Sequence, residues 1–168
     1  PNAQRNLAQL NEQGLVFELQ IQMLYVSAKN EGSANKQQEM LNLIIETFSP
    51  LSNLKIVLNH AGFMPINTAL ANSAEGEGLK QQYLNEYGIW QQAMLTLAGL
   101  PNLYVKCSGW EMTNSDYKTS DIGRGLGFLL NTFGSQRLML ASNFPLVLFA
   151  KSYAEYWQCM QAAVTAVN

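Results

Sequence analysis

Four short apolar runs recur along the chain, and longer stretches with helical spacing separate them. The runs are LVFELQIQ from Leu15, LKIVLNH from Leu54, NLYVKCSG from Asn102 and RLMLASN from Arg137. Each is fed by a turn signal: Gly14, Ser52-Asn53, Pro101-Asn102 and Gly134-Ser135. Between them, NKQQEMLNLIIETF places Met40, Leu43, Ile44 and Phe48 on one helix face. LKQQYLNEYGIWQQAMLTLAG does the same with Leu79, Tyr83, Tyr87, Trp90, Met94 and Leu97. DIGRGLGFLLNTFG reads as a helix opened at Ser120/Asp121 and stopped by Gly134, and AKSYAEYWQCMQAAVTAV as a last amphipathic helix. Strict β-α alternation dictates an α/β fold with a parallel sheet and right-handed crossovers. A doubly wound open sheet and a (β/α)8 barrel both use this order, and four units make a small open sheet or half a barrel. No repeat, low-complexity tract or composition break divides the sequence, so residues 1–168 read as a single domain.

Composition narrows the partners. Charged residues make up 13% of the chain, against roughly 25% in an average soluble protein. The net charge of −2 and the lack of any Lys/Arg stripe argue against nucleic acid. No apolar run approaches the ~20 residues of a membrane span. Cys107 and Cys159 do not make a disulfide framework, and no signal-peptide pattern opens the sequence, so a reducing cytoplasm is the expected location. The sequence begins at Pro1 and ends at Asn168 inside a helical pattern, which suggests a piece of something longer or a shortened homologue.

Every strand run ends in polar residues, and side-chain alternation assigns them to faces. Glu18 and Gln20 share a face on the first run, and His60, the only histidine, shares one with Ile56 and Leu58 on the second. Lys106 and Ser108 align with Tyr104 on the third, with Cys107 pointing the other way as a packed thiol. Asn143 aligns with Met139 and Ala141 on the fourth. Ligands of α/β folds bind at the C-terminal strand edge. In a barrel, Glu18, Gln20, His60, Lys106, Ser108 and Asn143 would share one mouth. The plainer alternative is that Lys106 simply pairs with Glu18 across the strands, and that Trp90 and Met94 are core.

VLNHAG, then Trp90 with MLTLAGLPNLYVKCSG, then FGSQRLMLASNFP, resembles the amidohydrolase-2 family of TIM-barrel hydrolases, and LNEQGLVFELQIQ is similar to an earlier strand of that family. The resemblance covers nearly the whole chain. It implies a (β/α) barrel of TIM type, here as about four βα units of the central-to-late part. The family's opening strand with its H-x-H metal motif and its closing segment have no counterpart here. The implied activity is water attack on a lactone or amide carbonyl, with a sugar-lactone-like small-molecule substrate. His60 would polarise the carbonyl or place the water, and Glu18 is the available general base. Asn143 stands where the family often has a metal-binding Asp; it and Gln20 would hydrogen-bond, and Lys106 and Ser108 would bind a substrate carboxylate or hydroxyl. Complete members can hold a divalent metal such as zinc and some of the lactonases work without one; one histidine and no matching Asp cannot build such a site here, so no metal or other cofactor is expected. The rival reading is a catalytically inactive barrel fragment serving as a binding or structural module. A half barrel leaves two sheet edges open and should pair with itself or with a missing half, so a homo-oligomer is expected. GRGLG lacks the spacing of a phosphate loop and reads as a flexible helix start.

Overall fold

The computed structural model describes residues 2–23, 33–66 and 76–167. In chain order its regular elements are α1 (Asn2–Glu12), β1 (Val16–Leu19), α2 (Ser33–Phe48), β2 (Lys55–Leu58), α3 (Gly76–Leu97), β3 (Leu103–Cys107), α4 (Thr119–Phe133), β4 (Leu138–Leu140) and α5 (Tyr153–Val167). The four strands form one sheet in the order β1-β2-β3-β4, and every pairing is parallel. The expected α/β alternation therefore stands, with an additional leading helix.

Register separates the two faces of the sheet. Phe17, Ile56 and Leu103 lie in line, as do Leu19, Leu58, Val105 and Leu138. These residues join Met94, Leu97, Leu126, Leu129, Tyr156 and Met160 from the helices in one apolar core. The other face carries Glu18, Val57 and Tyr104 in line, then Lys106 beside Met139. Val57 is buried there but stands outside that core. One sheet face thus carries the helices and the other a mixture of polar and apolar side chains, the cross-section of a (β/α) barrel wall.

Polar clamps close the end of the sheet where the strands begin. Asn102 Nδ2 donates to the carbonyls of Leu51 and Leu54 at 2.8 Å each. Asn11 Oδ1 accepts from the backbone N–H groups of Asn53 and Leu54. Arg137 ties the carbonyls of Ala98 and Leu100 to the start of β4. With these loops fixed to one another, the freedom to carry chemistry lies at the opposite, C-terminal end. The GRGLG stretch lies within α4, where Gly125 lets Met64 and Trp110 approach: a Cβ there would sit 2.5 Å from Met64 Sδ. It is a packing surface and not a flexible start.

Candidate active site

Strand β2 stops at Leu58, and the next residues turn the left-handed way. His60, Ala61, Gly62 and Phe63 have φ of 55, 48, 61 and 59°. For L-residues this conformation costs about 1–2 kcal/mol each, so surrounding structure has to impose it. The Phe63 N–H donates to the His60 carbonyl at 2.8 Å, and the Met23 N–H to the Gly62 carbonyl at 3.0 Å. Trp90, fully buried on α3, donates from Nε1 to the Ala61 carbonyl at 2.8 Å. Only glycine fits at position 62, because a Cβ would lie 2.6 Å from both Met23 Cγ and Met94 Cε. Strain held in this way concentrates at functional sites.

The turn corrects the strand-parity expectation for His60. Simple alternation would put it on the helix-covered face with Ile56 and Leu58. Because the chain leaves the strand before it, the imidazole instead reaches β3, and Nδ1 lies 3.1 Å from Ser108 Oγ. Ser108 is buried. Gly109, at φ +73°, lies against the ring, so that a Cβ there would meet His60 Cγ and Nδ1 at 2.7 Å. Phe63 sets its edge on the imidazole, with ring centroids 5.3 Å apart. Burial first, and the Lys106 charge second, hold His60 below the ordinary imidazole value, so it is neutral at neutral pH.

A second polar group stands beside it. Lys106 Nζ donates to Glu18 Oε1 at 2.8 Å, and Asn59 Nδ2 donates to Glu18 Oε2 at 3.1 Å. The plainer pairing of Lys106 with Glu18 is therefore present. These two hydrogen bonds, Lys106 first, pull the Glu18 carboxyl below its usual range, which weakens it as a base. Asn59 Oδ1 is buried without a partner among the described residues. Gln20 lies exposed past the end of β1 and is not bonded to this set. Asn143, at φ +56°, lies beyond β4 and donates from Nδ2 to Glu111 Oε1 at 2.5 Å. The structure thus brings His60 to Ser108 and Glu18 to Lys106, and gives Asn143 a separate partner. Asn59 and Glu111 were not singled out from the sequence. Asn59 precedes the histidine directly, and Glu111 follows the S-G pair at the end of β3; their positions past strand ends are the signal that could have found both. A hollow of about 390 Å³ lined by Phe63, Met112, Tyr83 and Glu86 touches the set only through Phe63, so the hydrogen-bonded residues, and not that hollow, form the candidate site.

Among the described residues no three His, Cys, Asp or Glu side chains come together in a way that could hold a metal ion. Glu18 is already engaged by Lys106 and Asn59, and His60 Nδ1 by Ser108. These residues do not fit a metal centre, and no step of the chemistry proposed for them runs through one. Nor is any helix among the described residues long and apolar enough to cross a membrane.

Known proteins resemble this chain in sequence or in fold. The uncharacterized protein y4mH of Sinorhizobium fredii is 27% identical over 161 residues, which are 96% of this chain and 44% of that protein. L-fucono-1,5-lactonase of Burkholderia multivorans is 40% identical over a stretch that is 39% of this chain and 24% of that protein. Among solved structures, an amidohydrolase from Burkholderia multivorans with bound HEPES superposes with a TM-score of 0.72 at 22% identity, over 97% of this chain and 50% of that one. The chain spans about half the length of the relatives that it matches along nearly its whole length, and the expected partial (β/α) barrel of TIM type stands. A family model described as Amidohydrolase matches residues 2–167, and the chain belongs to that family.

Proposed function

We propose that this chain carries part of the active site of a hydrolase that opens a sugar-lactone-like ring by attack of water on its carbonyl carbon. The observation that carries the reading is the neutral imidazole of His60, held by a strained turn against Ser108 at the C-terminal strand edge. A Ser108 oxygen that accepts from Nδ1–H leaves Nε2 as the basic nitrogen. Nε2 takes the proton of the attacking water as the new C–O bond forms. The ring C–O bond then breaks, and the same proton passes to the leaving alkoxide. His60 is a better base for this than Glu18, whose proton affinity is already spent on Lys106 and Asn59. Buried Ser108 orients the imidazole. Lys106 binds a substrate hydroxyl or the carboxylate that ring opening creates, and Asn143 and Gln20 supply hydrogen bonds to hydroxyls. The lactone class is supported by the similarity to L-fucono-1,5-lactonase, which spans the smaller part of the chain.

The test is hydrolysis of a panel of sugar lactones by the wild type and by His60→Asn, which tolerates the left-handed backbone better than alanine. Turnover by the wild type and a loss of roughly 100-fold or more in the variant, with an unchanged circular dichroism spectrum, is the expected result. Equal turnover by both proteins would remove His60 from the chemistry.

A further inference from the structure

Glu111 lies at the same strand edge and takes no part in the proposed hydrolysis. It sits half-buried in the short turn Trp110–Met112 after β3. Its Oε1 accepts from Asn143 Nδ2 at 2.5 Å, while Oε2 is buried without a partner among the described residues. An ionised carboxylate only accepts hydrogen bonds. The branch of the Asn143 amide that faces it must therefore be the NH2 branch. With the amide turned over, Oδ1 would meet a carboxylate oxygen with no proton between them.

We infer that Glu111 is a positioning residue that locks the Asn143 amide with Oδ1 turned away from it, so that position 143 presents an acceptor to a bound molecule. The group selected there is a donor, a ring hydroxyl of the substrate, and not a carboxylate or carbonyl oxygen. The lock itself does not depend on the proposed hydrolysis; the identity of the donor does.

Asn143→Asp sets two carboxylates face to face. At about pH 8, well above the usual carboxylate range, its thermal midpoint is expected to fall by several degrees, and to recover toward the wild type near pH 5 as one proton is taken up. The phenols of Tyr117 and Tyr156 and the Cys107 thiol, pushed up by burial, stay protonated across that range. The Lys151 ammonium lies over the Tyr117 ring. The double variant Asn143→Asp/Glu111→Gln restores a donor–acceptor pair with its polarity reversed, and its midpoint at about pH 8 is expected to return most of the way. If the double variant is no more stable than Asn143→Asp at that pH, or if Asn143→Asp matches the wild type there, the inference is overturned. Neither result depends on turnover. In the catalytic arm, Glu111→Gln no longer dictates the amide orientation, and the preference for a hydroxylated lactone over its deoxy analogue is expected to narrow about tenfold, the equivalent of one good hydrogen bond. An unchanged preference would overturn the assignment of the donor. Absence of turnover in every protein would defeat the proposed hydrolysis, and the stability arm would still decide the lock.

Discussion

His60 occupies a backbone conformation that a histidine adopts at a cost, and every contact around it fixes the ring. Gly109 makes that dependence measurable. A Cβ there would meet the imidazole at 2.7 Å, and φ is +73°. Gly109→Ala is expected to cost about 1–3 kcal/mol by urea unfolding and to move the imidazole off Ser108. A midpoint equal to the wild type would show that the ring has room to yield. The depressed proton affinity of His60 has a second consequence. The unfolded chain, with an ordinary imidazole near 6.5, binds the proton more readily than the folded one. The stability contributed by the neutral ring is therefore present above about pH 6.5 and is lost as pH falls through the lower folded value. Glu18 shifts downward as well, so its contribution is present above its ordinary value and lost on acidification through the folded one. Because Glu18 is more than half exposed, Lys106→Met is expected to cost less than about 1 kcal/mol, a far smaller change than that at Gly109.

Among the elements, the strands were legible in the sequence because short β-branched and apolar runs stood between turn residues, and all four appear within the expected segments. Helix α1 was not. NAQRNLAQLNE has no buried residue, and only Leu7 and Leu10 touch the core, so its polar face dominates the pattern. His60 was legible as a strand-end residue but misplaced, because parity presumes that the strand continues, and a run of four left-handed residues cannot be read from alternation. The device that sustains that run was hidden for a related reason. Trp90 reads as plain core from its helical spacing, and it is fully buried, yet its indole N–H holds the Ala61 carbonyl. Trp90→Phe keeps most of the packing and removes the donor. It is expected to lower stability by about 1–3 kcal/mol for the orphaned buried carbonyl, together with the rate of the proposed lactone hydrolysis. A loss of stability with an unchanged rate would uncouple the turn from the site.

At the scale of the molecule, four parallel strands have their helices on one face, and among the described residues no further strand pairs with the outer edge of β1 or of β4. Beside the β4 edge, Phe144 is 63% exposed and Phe149 85%, with Leu146 and Leu148 also uncovered. Edges and patches of this kind pair readily, so this chain by itself is expected to self-associate, read as a dimer or larger species by light scattering on a sizing column. A monomer that binds no apolar dye would contradict that expectation. At the C-terminal edge of the same sheet, the proposed hydrolysis requires a neutral imidazole ready for a hydroxylated lactone. His60 is the only histidine in the chain, so an NMR titration of imidazole signals reads that one residue without assignment. The direct measurement is this titration with and without a sugar lactone. A titration midpoint below about 6.5 is expected, with ring signals that move when the lactone is added. An imidazole that titrates at the ordinary value and ignores every lactone would contradict it.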